Sequence, residues 1–359
     1  MLKPREAVLS LPTYHPPLAS RNGLRLDFNE NTSGCSPSVL AALRGLDADQ
    51  LTRYPERAPV ESILAEHLEI EAEEVLLTNG IDEGIHLLCE TYLEAGDEVL
   101  IPVPTFAMYE LFAAATGAKV IKVPTEPDFA FLLQQVRETV SDRTRMIALA
   151  NPNNPTGAFV KPELLINLAQ STPWAAILVD EAYFEFCDET VLPGWRELPN
   201  LFVARTFSKA YGLAGLRVGA LLGNVSSLAA ARRVASPYSV NAVALACLPA
   251  ALADQTFVSD YAEQVRYGRS MLQKQLQEWN IRYWESRANF VLVYVGPRHS
   301  EFVQEMRVRG ILVRDRSRDV GCEGCVRITI GTFQQTKQLL ATLAEVFSSL
   351  ELLKPELSR

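Results

Sequence analysis

The chain has 359 residues, 48% of them hydrophobic, and a formal net charge of −9. That length and apolar content can build a large core divided over about two domains. The acidic balance excludes a protein that coats nucleic acid or carries a polybasic membrane face.

The N-terminal stretch "MLKPREAVLSLPTYHPP" has too many charges and prolines for a signal peptide. Residues 1–35 read as a loop-rich arm, expected to pack with a smaller C-terminal domain. From 36 to 250 short apolar strands alternate with helices. The strands are expected at 74–78, 98–101, 118–123, 145–150, 175–180, 201–206 and 217–223, and helices at 81–96, 106–116, 129–139 and 162–171. Near-continuous apolar strands separated by helices imply a mostly parallel sheet covered on both faces, an α/β architecture. The longest uncharged run, Val234 to Ala253, is interrupted by Ser236, Pro237, Asn241 and Pro249, and reads as buried core, not a membrane span. Residues 251–359 change texture: a long helix (256–280), strands at 289–295, 310–314 and 325–331, and helices at 300–309 and 334–350 predict a smaller α+β domain.

The six cysteines, at 35, 89, 187, 247, 322 and 325, are too sparse for a disulfide scaffold. Cys322 and Cys325 have CxxC spacing, but no second pair or histidines lie near them in sequence, so ordinary cysteines in a turn are expected and no metal.

Four motifs carry chemistry. "TNGIDEG" (78–84) passes from strand to helix, and the backbone N–H groups of Gly80, Ile81 and Asp82 would form an anion site there. Asp82 and Glu83 weaken that site unless they point away. "NPNNPTG" (151–157) follows a strand, where α/β proteins bind ligands, and offers the amide of Asn154. "DEAY" (180–183) ends an apolar strand in Asp180, a carboxylate in a dry setting that needs a partner, with Tyr183 three residues on. "RTFSKAYGLAGLRVG" (205–219) places Lys209 among Phe207, Ala210, Tyr211 and Leu213, which is no solvated face. Desolvation favours the free amine, a nucleophile toward carbonyls, while Thr206, Ser208 and Arg217 suit a phosphate. One ligand answers all four motifs: pyridoxal 5′-phosphate, with an aldehyde for Lys209, a ring nitrogen for Asp180, a ring oxygen for Asn154 and Tyr183, and a phosphate for the rest.

With "LDFNEN" (26–31), "RYPE" (53–56), "PTFAMY" (104–109), "ANFVLV" (288–293), "GILVRD" (310–315) and "VRITIGT" (326–332), these motifs span nearly the whole chain. In this order they resemble the class I/II, fold type I, pyridoxal-phosphate aminotransferases, and within them the histidinol-phosphate aminotransferase family. The resemblance implies a seven-stranded, mostly parallel sheet between helices in the large domain. It also implies a homodimer with shared active sites, and amino transfer from histidinol phosphate to 2-oxoglutarate. It assigns Lys209 as the lysine that holds the cofactor, Asp180 to the ring nitrogen, Tyr183 and Asn154 to the ring oxygen, and Phe106 to the ring face. Thr206, Ser208, Arg217 and the backbone at Gly80, Ile81 and Asp82 take the phosphate, joined by Tyr54 of the neighbouring subunit. Arg327 takes the substrate carboxylate, Arg314 the substrate phosphate, and Tyr14 and Asn29 line the substrate pocket. Arg307, Arg309, Arg316 and Arg318 are expected to cluster near Arg314. "PTYHPP" (12–17) departs from the family's arm pattern, in which glycine or basic residues follow the aromatic. An aromatic amino acid aminotransferase and a threonine-phosphate decarboxylase are the alternatives within the same cofactor chemistry. A cofactor-sensing transcription regulator would need a DNA-binding module that the arm does not resemble, and no GxGxxG supports a nucleotide-binding oxidoreductase.

Overall fold

A computed structural model describes residues 2–13 and 22–352. Twelve strands run in chain order: β1 (Leu24–Arg25), β2 (Val75–Thr78), β3 (Glu98–Val103), β4 (Lys119–Pro124), β5 (Thr144–Ala150), β6 (Ala176–Asp180), β7 (Leu201–Thr206), β8 (Gly219–Gly223), β9 (Phe290–Tyr294), β10 (Ile311–Leu312), β11 (Arg314–Asp315) and β12 (Cys325–Thr329). Seven form one sheet in the order β2-β8-β7-β6-β5-β3-β4. β8 runs antiparallel to both of its neighbours, and every other pair is parallel. β2, β6, β7 and β8 are buried at every position, as a sheet with helices on both faces requires. The mostly parallel seven-stranded sheet expected from the sequence is therefore present.

Register brings the motifs to one edge of this sheet. Ala150 pairs with Asp180, Asp180 with Ala204, and both Thr206 and Thr78 with Gly219. The loops that leave these strands carry the Asn-Pro, Asp-Glu-Ala-Tyr, lysine and Asn-Gly motifs, at the carboxyl ends where open α/β sheets bind ligands.

A second sheet has the order β11-β12-β9, and β1 pairs in parallel with β10. The expected strand 310–314 is thus two pieces. Ile311–Leu312 pairs with Leu24–Arg25, whereas Arg314 pairs with Arg327 on β12. The helix expected from 129 begins only at Leu133. Phe129 has a φ of 65° and is buried against Trp284, Leu292, Cys322 and Cys325, so tertiary burial overrides helical periodicity there. All six cysteines are free. No single helix among the described residues is long and apolar enough to cross a membrane, and helices Ala242–Ala253 and Gln255–Glu278 meet at a 76° bend.

The turn after Lys209 depends on one glycine. Gly212 has a φ of 72°, donates its N–H to the Lys209 carbonyl at 3.2 Å, and lies where a methyl group would overlap the carbonyl of Gly34. Gly212→Ala should lower stability by about 2–4 kcal/mol, from left-handed strain plus overpacking. Denaturant unfolding monitored by circular dichroism checks this, and an unchanged midpoint would contradict it.

Candidate active site

A cavity of about 240 Å³ opens at that sheet edge. Asp180, Tyr183, Asn154, Phe106, Lys209 and Arg217 all line it, as do Ile81, Asp82, Thr206 and Ser208. Ten of the residues singled out in the sequence therefore meet around one space.

Asp180 is 4% exposed. Its Oδ1 accepts the Ala182 N–H at 2.9 Å and its Oδ2 accepts the Tyr109 hydroxyl at 2.5 Å. Burial pushes this carboxyl up to about 6, against the pull of those two donors. The neighbouring acid has a different task. The Glu181 side chain accepts from Arg205 Nε at 2.9 Å, from the Thr190 hydroxyl at 2.7 Å and from Val191 N–H at 2.9 Å. Of the Asp-Glu pair, only Asp180 is left to serve the cavity.

Lys209 donates from Nζ to the Phe28 carbonyl at 3.0 Å and lies 5.9 Å from the centre of the Tyr183 ring. Burial, then the positive charge of Arg327, lowers its ammonium to about 8. The Tyr183 hydroxyl accepts from Asn29 Nδ2 at 2.9 Å. Asn29 is itself fixed in the left-handed region, φ 55°, by bonds to Thr329 and Asn289. It stands behind Tyr183 and is not part of the cavity wall.

At the other end, Arg217 Nη2 meets Asp82 Oδ2 at 3.1 Å. Gly80 has a φ of 76°, a conformation that strains any residue with a Cβ, and a Cβ there would sit 2.6 Å from Arg217 Nη2. Glu83 turns back to cap its own helix, accepting the Asn79 N–H at 2.5 Å. Of the two acids feared at this helix start, Glu83 is engaged elsewhere and Asp82 is neutralised by Arg217. The Thr206 hydroxyl accepts the Ser208 N–H at 3.2 Å, and both residues are buried.

Arg327 reaches in from the second sheet. It donates to Asn154 Oδ1, and from Nη2 to the Asp27 carbonyl at 2.8 Å. Burial, then the charge of Arg316, brings its guanidinium down to about 9. Three buried donors here have no protein acceptor: Arg314 Nη1, Arg316 Nε and Arg327 Nε. Arg316 pairs with Asp319. The expected arginine cluster is only partly formed. Arg309 is held by Glu305 and Glu345, and Arg318 lines a neighbouring space with Phe106, Glu110 and Lys122. Arg307 lies on helix His299–Val308.

Tyr54 does not line the cavity. Tyr54 is 79% exposed, its ring 4.5 Å from that of Tyr238. Tyr14 lies outside the described residues. Tyr109, which sequence reasoning passed over, is brought to Asp180 by its place three residues after Phe106, in the first turn of helix Ala107–Thr116. That i, i+3 spacing in "PTFAMY" was the available signal.

Residues 21–343 match the model of the aminotransferase class I and II family. The chain belongs to that family. It is 33% identical over 330 residues to histidinol-phosphate aminotransferase 1 of Bacillus cereus, covering 90% of this chain and 88% of the relative. It is 35% identical over 332 residues to histidinol-phosphate aminotransferase 2 of Pseudomonas fluorescens, covering 90% and 89%. The crystal structure of histidinol-phosphate aminotransferase from Sinorhizobium meliloti, in complex with pyridoxal-5′-phosphate, superposes with a TM-score of 0.88 at 27% identity, covering 98% of this chain and 99% of that one. The architecture is thus that of the fold type I aminotransferases.

The Lys209 amine, lowered by burial, should be neutral above about pH 8 and protonated below it. Reductive methylation with formaldehyde and cyanoborohydride, resolved by peptide mass spectrometry, should label Lys209 with a midpoint near that pH. Exposed lysines should label with midpoints about two units higher. A Lys209 midpoint among the exposed lysines would contradict the burial argument.

Proposed function

We propose that this aminotransferase uses pyridoxal 5′-phosphate to transfer the amino group of histidinol phosphate to 2-oxoglutarate, giving imidazole acetol phosphate and glutamate in histidine biosynthesis. The observation that carries the substrate assignment is the set of three buried guanidinium donors without acceptors, on Arg314, Arg316 and Arg327. Buried charged donors demand an anion with several acceptor oxygens, and a phosphate has them. The names of the relatives point the same way.

The cavity's residues fit the cofactor. Lys209 offers an amine of lowered basicity, Asp180 a carboxylate, and Arg217 with the glycine-bounded turn at Gly80 a cradle for an anion. When bound, pyridoxal phosphate supplies an aldehyde that captures amines and a protonated ring that draws electrons from the carbon losing its proton. Asp180 would hold the proton at the ring nitrogen, Tyr183 and Asn154 would hold the ring oxygen, and Phe106 would cover a ring face. Thr206, Ser208, Arg217 and the backbone at Gly80, Ile81 and Asp82 would hold the phosphate. Lys209 Nζ acts as the base that takes the proton from the substrate Cα. Arg327 presents a planar fork to the substrate's anionic group, with Arg314 beside it, and Asn29 fixes Tyr183 at the pocket's edge.

We further propose a cytoplasmic homodimer in which Tyr54 serves the neighbouring subunit's phosphate site. The exposed Tyr54–Tyr238 pair, with Leu40, Leu43, Leu51 and Ile63 exposed on the adjoining helices, supports this reading. In our reading the chain divides into an arm (1–35), a large domain (36–250) and a small domain (251–359), with the β1–β10 pairing tying the arm to the last of these.

A half-reaction panel tests the assignment. Histidinol phosphate, phenylalanine, tyrosine and phosphothreonine are mixed separately with the cofactor-loaded protein, and the cofactor's absorption band is followed. Histidinol phosphate should convert it fastest. Lys209→Ala should abolish turnover. Arg314→Ala should raise KM for histidinol phosphate about 10- to 100-fold, as expected for a lost charged hydrogen bond. Intact turnover in Arg314→Ala, or faster conversion by phenylalanine, would overturn the phosphate reading.

Shared sites predict complementation. Tyr54→Ala and Lys209→Ala chains, each nearly inactive alone, should recover up to about a quarter of wild-type activity when unfolded and refolded together, because half the dimers regain one intact site. No recovery in verified heterodimers would argue for self-contained subunits.

A further inference from the structure

We infer that Tyr109 is a positioning residue for the cofactor ring: its hydroxyl keeps the Asp180 carboxylate ionised and aimed, so that Asp180 can retain a proton on the ring nitrogen. The inference rests on the reading that this cavity takes pyridoxal phosphate.

Tyr109 is 1% exposed, and its ring stands edge-on to Phe106, with centroids 5.7 Å apart. A phenylalanine would make the same apolar contact. The hydroxyl is therefore the informative group, because a buried hydroxyl costs stability unless it is bonded. It donates to Asp180 Oδ2 at 2.5 Å, while the Ala182 N–H occupies Oδ1 at 2.9 Å. These donors come from separate elements, helix Ala107–Thr116 and the turn after β6, so together they stop the carboxylate from rotating. Its remaining lone pairs are left for the cavity that Asp180 lines.

The electrostatics run the same way. Burial raises the Asp180 carboxyl to about 6, and the Tyr109 hydroxyl is the foremost group holding it down, followed by the Ala182 N–H. Asp82 pushes it up and Lys209 pulls it down. The Tyr109 phenol lies well above its ordinary value through burial, then through Asp180, Tyr183 and Asp82, so it keeps its proton and serves as a donor throughout. Removing that donor favours the neutral acid, which then persists to higher pH. A neutral carboxyl cannot stabilise a protonated ring nitrogen.

Full-length protein, stripped of cofactor, is titrated with pyridoxal phosphate across pH, for wild type, Tyr109→Phe, Asp180→Asn and the double variant. Tyr109→Phe should weaken binding about tenfold and move the acid-side loss of affinity up by about one pH unit. In Asp180→Asn the part of that loss set by Asp180, near pH 6, should vanish and leave only the part set by Lys209 near pH 8, and adding Tyr109→Phe should then cost less than about twofold. Should Tyr109→Phe not fold, 3-fluorotyrosine at position 109, a more acidic donor of nearly the same shape, should move the acid-side loss to lower pH. A stable Tyr109→Phe with wild-type affinity and pH profile overturns the inference, as do equal losses in both backgrounds or an unmoved profile with fluorotyrosine. A wild-type chain without affinity for pyridoxal phosphate would instead sink the cofactor reading beneath it.

Discussion

The site depends on two opposite charges being kept out of water at one edge of one sheet. Burial raises the Asp180 carboxyl to about 6 and lowers the Lys209 ammonium to about 8. Either group alone in a dry site would be driven to its neutral form. Asp180 stays ionised above its raised value because Tyr109 and Ala182 donate to it. Lys209 is free to become a neutral amine because its neighbours Arg327 and Arg217 discourage the ammonium. An ionised acid beside a neutral amine is the protonation state that imine chemistry needs, and the pair reaches it together only at mildly alkaline pH.

The strand register makes this possible. A one-residue slip between β5, β6 and β7 would turn Asp180 to the other face of the sheet, where Arg205 and Glu181 form their buried pair. β6 and β7 are buried at every position and β5 at all but Arg145, which penalises such a slip along nearly their whole length. The second sheet then supplies what the first lacks. Arg327 crosses to Asn154 and to the backbone of Asp27, so its guanidinium is fixed to the segment that leads into Lys209's own acceptor, Phe28.

Much of this was legible in the sequence because turn chemistry and strand ends are local. The Asn-Pro loop, the acid ending an apolar strand and the lysine among small residues each announce themselves, and the parallel sheet follows from the alternation of elements. What was hidden depended on distant contacts. The strand 310–314 is apolar enough to be continuous, yet two different partner strands divide it. Arg309 looked like part of an arginine cluster, but Glu345, on another helix, holds it. Tyr109 drew no assignment from the sequence, and only the fold shows that its hydroxyl ends on Asp180. The Asp-Glu pair gave no hint of which acid would be paired with Arg205.

Phe129 carries a mechanical consequence. It belongs to the loop that follows β4, yet its ring is seated against Trp284, Leu292, Cys322 and Cys325. The loop after β4 is thereby packed against the second sheet, at Leu292 on β9 and Cys325 on β12. Any motion that pulled this loop away from the second sheet must first draw an aromatic plug out of its socket and wet two thiols.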